Sequence, residues 1–198
     1  MSPPQSNENP TEFLVAKWDR VFHTFFDLNN SGAIDFNDFE VLFEEIKKTR
    51  GAESTEFRIC EQAMIMVWKG LLQASKGIDI AQEAPQDVEI SLDEWRDIWK
   101  QYNPRQMPIW QWEYLKYMFF LLDTSGDKFV DEKEYVEVMN IYKIAEEDAK
   151  RAFASLAKDA KGKKLDKIDY GDFLKMWNDY FMSRDPDKPG NYLFGPWD

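Results

Sequence analysis

One spacing recurs four times along the chain. In each of four polar segments a lone aliphatic residue is followed, five positions later, by an aromatic residue within an amphipathic stretch. The four pairs are Ile34 and Phe39, Ile90 and Trp95, Val130 and Tyr135, and Ile168 and Phe173. A fixed frame of this kind indicates an internal repeat, here of a helix–loop–helix unit.

Apolar residues at helical spacing flank every polar segment, with almost no strand alternation. These stripes predict four helices before the sequence NPRQMP and four after it, because Pro104 and Pro108 interrupt any helix there. Ser91 and Glu94 form a capping-box pattern at the start of the fourth helix. We therefore predict an all-α fold of four helix–loop–helix units paired into two lobes, with short β contacts between paired loops.

The breaks in the pattern also predict the domain boundaries. The tail DPDKPGNYLFGPWD has too much proline and glycine to be helical, yet its large apolar side chains are costly to leave in water. We expect this tail to pack on the lobes. The predicted parts are residues 1–103, residues 104–182 and the tail, residues 183–198.

The first polar segment, called loop one, is rich in side-chain oxygens. Ca²⁺ takes 6 to 8 oxygens, and a twelve-residue loop supplies them from positions 1, 3, 5, 7, 9 and 12, with a sharp turn at position 6. In this frame Gly32 forms the turn. The candidate ligands are Asp27, Asn29, Ser31, the Ala33 carbonyl, Asp35 and Asp38. A simple turn between helices explains the glycine but not carboxylates at positions 1, 9 and 12, so we predict a metal site.

The third segment, loop three, fills the same positions. Its candidate ligands are Asp123, Ser125, Asp127, the Phe129 carbonyl, Asp131 and Glu134. Lys128 takes the turn position, where a positive φ costs a residue other than glycine on the order of 1 kcal/mol. That cost is small beside the binding energy of a divalent ion, so we predict a second metal site.

The residues at position 12 differ between these two loops. Glu134 is long enough to bind Ca²⁺ through both oxygens. The shorter Asp38 favours a six-oxygen cage that suits Mg²⁺. We therefore expect loop three to select Ca²⁺ and loop one to accept Mg²⁺ as well.

The second segment, loop two, keeps only half of the pattern. Its candidate ligands are Asp87, Glu89, Ser91 and Glu94, with Val88 at the turn position. The preceding helix is expected to end near Leu72, and Asp79 or Glu83 can approach from an irregular path. Two alternatives stay open: a third metal site, or a structural partner that braces loop one.

The fourth segment, loop four, carries Lys161 and Lys163 at positions 1 and 3. Ammonium groups at these positions repel a cation, so we predict no metal there. Its Ile168 is expected to pair with Val130 of loop three.

Charge and composition limit the partners. Asp and Glu outnumber Lys and Arg 37 to 25, and the net charge of -12 repels nucleic-acid phosphates and anionic lipid headgroups. Cys60 is the single cysteine, the N-terminus has no secretion signal, and no apolar run approaches the roughly 20 residues that span a bilayer. We predict a cytoplasmic monomer without direct membrane insertion.

An enzyme, specifically a nucleotide hydrolase, is the rival class. The sequence DAKGKKLDK contains a glycine and a lysine cluster but lacks the earlier glycine and the final hydroxyl of a phosphate-binding loop. His23 and Cys60 lie on or beside apolar stripes and are expected to be packing residues. We therefore predict a protein without enzymatic activity.

With loops one and three in this frame, the chain resembles the EF-hand calcium-binding proteins over nearly its full length. The long second loop, the tryptophan-rich helices and the tail, with its Pro-Gly-Asn and Phe-Gly-Pro sequences, are similar to the invertebrate sarcoplasmic calcium-binding proteins. This resemblance implies a two-lobed protein that responds to cytosolic Ca²⁺. For neuronal members of the group it implies action on excitability through channels or calcium-release machinery.

Together these features favour a calcium sensor. We expect it to change conformation on binding two or three Ca²⁺ ions and to modulate a protein partner. A Ca²⁺/Mg²⁺ buffer of the sarcoplasmic type is the alternative, because the first loop and the packed tail suit one equally.

Overall fold

The computed structural model of the chain describes residues 10–79, 81, 85–101, 106–159 and 162–196. The predicted boundary at residues 103 and 104, together with Glu83, Lys161 and the last two residues of the tail, lies outside the described residues.

Eight α-helices and four short strands form within the described residues, which confirms the predicted fold class. The helices are α1 (Pro10–Val21), α2 (Phe36–Arg50), α3 (Thr55–Lys76), α4 (Leu92–Lys100), α5 (Ile109–Leu122), α6 (Glu132–Ile141), α7 (Glu146–Leu156) and α8 (Tyr170–Met182). The strands are β1 (Ala33–Ile34), β2 (Ile90–Ser91), β3 (Phe129–Asp131) and β4 (Lys167–Asp169). A π-helical turn, Phe22–Phe26, continues α1, and a 3₁₀ turn, Pro189–Tyr192, forms part of the tail.

The strands pair the loops two by two. Strand β1 is antiparallel to β2, with Ile34 opposite Ile90. Strand β3 is antiparallel to β4, with Val130 opposite Ile168, as the repeat frame predicts. The aliphatic residue of each loop is buried in these pairs, so the loops are held together by hydrogen bonds and apolar contact alike.

Helix α3 is longer than the sequence predicts. It continues past Leu72 to Lys76 and ends at Gly77, whose φ of 69° is the left-handed conformation typical of a helix C-terminus. The expected end near Leu72 is therefore wrong. The apolar stripe stops there because the following residues face solvent, but hydrogen bonding continues for one more turn.

Residue contacts divide the chain into two compact units. The first unit is residues 19–118 and contains loops one and two. Its core is aromatic: the Phe26 ring centroid lies 4.9 Å from that of Trp95 and 4.9 Å from that of Tyr114. Cys60 is also buried there, and burial raises the pKa of its thiol to about 12, so this cysteine is a packing residue as expected.

The second unit combines the residues up to Trp18 with those from Phe119 onward, and it contains loops three and four. Its core includes Trp177 and Phe181 of α8, whose ring centroids are 4.9 Å apart. Phe194 of the tail packs against the same helix, 4.8 Å from the Tyr180 ring. The tail is thus part of the core of this unit.

Over the described residues, none of the helices combines the length and the apolar character needed to cross a bilayer.

Candidate metal centres

Loop one closes over two buried aspartates, at its first and last positions. Asp27 is 3% exposed and Asp38 is 1% exposed. Asp38 accepts two backbone hydrogen bonds, through Oδ1 from N–H of Asn29 at 2.9 Å and through Oδ2 from N–H of Asp35 at 2.8 Å. Asp27 Oδ2 accepts one from N–H of Gly32 at 3.1 Å. Gly32 has a φ of 89°, as the turn position requires.

The middle of loop one is joined by side-chain hydrogen bonds. Asn29 Oδ1 accepts from N–H of Ser31 at 2.8 Å, and Ser31 Oγ donates to the Ala33 carbonyl at 3.0 Å. Asn29 Nδ2 donates to Asp35 Oδ1 at 3.3 Å. The loop therefore connects its predicted oxygen donors through its own local hydrogen bonds.

Electrostatics in loop one favour a cation. The pKa of Asp38 is raised to about 6, chiefly by burial and also by the charges of Asp35 and Asp27, while the backbone hydrogen bonds oppose this rise. The carboxylates of Asp27, Asp35 and Asp38 repel one another, and two of them are buried, so a positive ion would stabilise the loop. His23, expected to pack, is instead exposed, with Nδ1 3.6 Å from Asp27 Oδ2.

Loop three repeats the backbone pattern of loop one. Glu134 is 7% exposed and accepts from N–H of Ser125 at 2.9 Å and from N–H of Asp131 at 3.0 Å. In both loops, therefore, the carboxylate at position 12 bridges the N–H groups of positions 3 and 9. Asp123 Oδ2 accepts from N–H of Lys128 at 3.0 Å, which repeats the link from position 1 to position 6.

Two details of loop three concern its fit to a metal. Lys128 adopts a φ of 71°, so the turn forms although glycine is absent. Asp123 Oδ1 is buried and has no hydrogen-bond partner among the described residues. A buried carboxylate oxygen without a partner is costly, and a cation bound at position 1 removes that cost. The donor set of loop three thus fits Ca²⁺.

Asp127, at position 5 of loop three, has both of its oxygens engaged. Oδ1 accepts from N–H of Phe129 at 2.9 Å, and Oδ2 forms an ion pair with Lys167 Nζ of β4. The hydrogen bond from Lys167 lowers the pKa of Asp127. The sequence frame did not predict this contact, because it joins two loops that are distant in the chain.

Loop two departs from the shared pattern. Glu94 Oε2 accepts from N–H of Ser91 at 2.9 Å, the equivalent of the bond to position 9, but Oε1 forms an ion pair with Lys76 at the end of α3. Asp87 and Glu89 are exposed. In loop two, therefore, two of the four candidate ligands face solvent, and Glu94 at position 12 is paired with a lysine.

Loop four closes through hydrogen bonds of its own. Asp159 N–H donates to the Lys163 carbonyl at 2.9 Å, and Lys163 N–H donates to Asp159 Oδ1 at 2.9 Å. Leu165 N–H donates to the Ala157 carbonyl at 2.8 Å. This loop is a scaffold for β4, and lysine occupies its position 3.

Within the described ranges no three side chains of His, Cys, Asp or Glu are close enough together to hold a metal ion by themselves. The reason is visible in loops one and three, where the carboxylates face backbone N–H groups around the loop. In this type of loop Asn, Ser and backbone carbonyl oxygens complete the ligand set.

Comparison with known proteins identifies the family. No protein-family profile matches the chain. Calexcitin-1 of Caenorhabditis elegans is 32% identical to it over 187 residues, which cover 92% of this chain and 86% of the relative. The chain belongs to the family of calexcitin and the sarcoplasmic calcium-binding proteins. It is therefore an EF-hand calcium-binding protein and not an enzyme.

Other members of the EF-hand group support this assignment. Sarcoplasmic calcium-binding proteins II, V, VI and VII of Branchiostoma lanceolatum are 25% identical over 131 residues, 63% of this chain and 67% of the relative. The solved structure of an amphioxus sarcoplasmic calcium-binding protein has a TM-score of 0.71 at 21% identity, covering 94% of this chain and 98% of its own. The calcium-loaded coelenterazine-binding protein of Renilla muelleri has a TM-score of 0.66 at 18% identity, covering 96% and 98%, and shows the same fold.

The tail of this EF-hand protein is fixed by two residues that sequence reasoning missed. Tyr135 Oη donates to the carbonyls of Tyr192 at 3.0 Å and Leu193 at 3.2 Å, and Gly195 N–H donates to Tyr135 Oη at 3.1 Å. Tyr135 follows the candidate ligand Glu134 directly. An aromatic residue at that position in each repeat suggests only a packing role.

Lys17 of α1 is the second of these residues, and it is fully buried. Its Nζ donates to the Ser183 carbonyl at 2.8 Å, to Asn191 Oδ1 at 2.9 Å and to the Asp179 carbonyl at 3.3 Å. Burial lowers the pKa of Lys17 to about 7, against the attraction of Asp179. A single lysine beside an apolar stripe gives no sequence signal for such a role.

Proposed function

We propose that this protein is a cytosolic calcium sensor with two metal sites, in loops one and three. The support is the hydrogen-bond pattern that these two loops share, in which position 12 bridges positions 3 and 9, and position 1 accepts from position 6. We propose loop two as a structural partner, because Lys76 is paired with Glu94 there.

One observation supports a sensor function most strongly. A candidate ligand and the residue that holds the tail are neighbours on α6. Glu134 is the bidentate candidate of loop three, and the hydroxyl of Tyr135 bonds to the tail at three positions. Both residues belong to the first turns of one helix. A reorientation of the first turn of α6 would therefore move Glu134 and Tyr135 together.

Calcium, when bound, supplies a divalent charge that is coordinated by 6 to 8 oxygens. Glu134 would hold it through both oxygens, each of which accepts one backbone hydrogen bond here, from N–H of Ser125 and of Asp131. Coordination by Glu134 would reposition the first turn of α6, and with it the Tyr135 hydroxyl that bonds to the tail carbonyls. The apolar tail residues then present a different surface to a protein partner.

Hydrogen exchange of the tail amides tests this coupling. We expect the exchange rate of the Gly195 amide to change over the same calcium range that fills loop three. In Glu134→Gln the tail should no longer respond to calcium, and in Tyr135→Phe its exchange should be fast with and without calcium. If the tail amides of the wild type are indifferent to calcium, the protein is not a sensor of this kind.

A calcium and magnesium buffer is a second candidate, favoured by Asp38. Its side chain is one carbon shorter than that of Glu134, which favours binding through a single oxygen and the compact octahedral site that Mg²⁺ demands. We propose that loop one holds Mg²⁺ at resting calcium levels. The buffer would be favoured if hydrogen exchange of the tail amides does not respond to calcium and if calcium binding depends on Mg²⁺.

The proposed form is a cytoplasmic monomer that acts on a protein partner. Neuronal channels or calcium-release machinery are the partner classes implied by the resemblance given above. A sedimentation measurement with and without calcium tests the monomer, with a mass near 23.5 kDa expected in both conditions.

A further inference from the structure

Lys167 of loop four faces the ligands of loop three. Strands β3 and β4 are in a register that places Lys167 directly opposite Asp131, the ligand at position 9. Its Nζ forms an ion pair with Asp127, the ligand at position 5. Lys167 is itself at position 7 of loop four, where only the backbone carbonyl would serve a metal, so its side chain is available for another role.

We infer that Lys167 is a built-in competitor for the calcium site of loop three and sets its affinity. This inference rests on the proposed function, because it requires loop three to bind calcium. It deepens that proposal by naming a residue outside the loop that fixes the calcium level to which the loop responds.

Geometry supports a competition and not merely a neighbouring charge. Asp127 Oδ1 accepts from N–H of Phe129, and Oδ2 is paired with Lys167, so an ion that binds through Oδ2 meets the lysine ammonium group at the same oxygen. Release of a flexible, 44% exposed lysine side chain distorts the loop less than release of a backbone N–H in β3.

Lys167 lies close to two candidate ligands of loop three. It is paired with Asp127 and lies directly opposite Asp131 in the strand register. Its positive charge is therefore attracted by the carboxylates of the empty loop. After calcium enters, the same positive charge lies near a divalent ion and repels it.

The consequence is a raised calcium threshold at loop three. Loop four has lysine instead of an oxygen ligand at position 3, and its Lys167 partly neutralises the carboxylates of its partner loop. A site weakened in this way stays free at low calcium and fills when calcium rises, as a sensor requires.

Calcium titration of the full chain tests this inference, with NMR signals of the Gly32 and Gly126 amides reporting loops one and three separately. In Lys167→Gln we expect the dissociation constant at Gly126 to fall about 3- to 10-fold, while the constant at Gly32 is unchanged. Lys167→Arg keeps the charge and should bind like the wild type.

Lys175→Gln is the matched control. Lys175 is an exposed lysine of the same unit and is paired with an aspartate, Asp172, that lies outside loop three. It should leave both constants unchanged. If Lys167→Gln binds calcium at Gly126 no more tightly than Lys175→Gln, the inference is wrong while the proposed site stands. If the Gly126 signal does not respond to calcium in any variant, the proposed site and the inference both fail.

Discussion

Lys128 holds a positive φ in a loop where glycine is the usual residue. Its φ of 71° forces its Cβ towards the backbone, while its N–H still bonds to Asp123. We predict that Lys128→Gly raises the free energy of unfolding by up to about 1 kcal/mol, because relief of this strain outweighs the added freedom of the unfolded chain. Urea unfolding at saturating calcium measures the change.

Lys133→Gly provides the control for that prediction. Lys133 is an exposed residue of α6 with ordinary helical geometry, so the same substitution there should lower the free energy of unfolding by about 1 kcal/mol. A loss of stability in Lys128→Gly like that of the control would show that φ at this position is not strained.

The buried Lys17 predicts how the free energy of unfolding depends on pH. Its pKa is lowered to about 7 in the folded protein from an ordinary value of 10.5, so between these values the unfolded chain binds more protons than the folded one. The contribution of Lys17 to the free energy of unfolding therefore rises with pH above 7, by at most about 1.4 kcal/mol per pH unit. Below pH 7 the full destabilising effect of burying the charged amine is present.

We predict that the difference in unfolding free energy between the wild type and Lys17→Met shifts in favour of the wild type from pH 7 to 9.5. The exposed Lys150, on α7 of the same unit, is the matched control, and its replacement by methionine should give a difference that does not vary over this range. A flat difference for Lys17→Met would mean that the buried amine keeps its ordinary pKa.

At the scale of elements, the tail packs through the 3₁₀ turn that begins at Pro189. A Cβ added to Gly190 would lie 2.5 Å from Asp179 Cβ and 2.6 Å from the Met176 carbonyl of α8. We predict that Gly190→Ala lowers the free energy of unfolding by about 1–3 kcal/mol, because the turn has to move away from the helix. Chemical denaturation measures this.

Gly171→Ala is the control for the tail. Gly171 is exposed in the first turn of α8, and a Cβ there would lie 3.3 Å from the flexible Asp169 side chain, so alanine, the better helix former, should change the free energy of unfolding less than Gly190→Ala does. Equal stability of Gly190→Ala and the wild type would contradict the close packing of tail and helix.

The sequence predicts the elements well and the contacts between distant side chains poorly. Eight helices and the pairing of Ile34 with Ile90 and of Val130 with Ile168 follow from a local repeat, because spacing and burial repeat with it. The ion pairs of Lys76 with Glu94 and of Lys167 with Asp127 do not, since each joins residues from different elements. The apolar stripe places the end of α3 too early, because it reports burial and not hydrogen bonding.

The whole molecule carries a net charge of -12, and the candidate ligands of loops one and three include seven of its carboxylates. Calcium binding offsets this charge and couples affinity to stability. We predict that calcium raises the melting temperature of the wild type and that Asp27→Ala reduces this rise. Glu40→Ala, an exposed acidic residue of α2, is the control and should leave the rise unchanged. Identical melting curves for Asp27→Ala and the wild type would exclude loop one as a metal site.

The most direct test is the number of calcium ions bound at saturation, measured by calorimetry without Mg²⁺ for the wild type, Asp27→Ala and Asp123→Ala. Two binding loops predict two ions for the wild type and one ion for each variant. Three ions for the wild type, or a count that neither substitution lowers, would contradict the assignment of the sites to loops one and three.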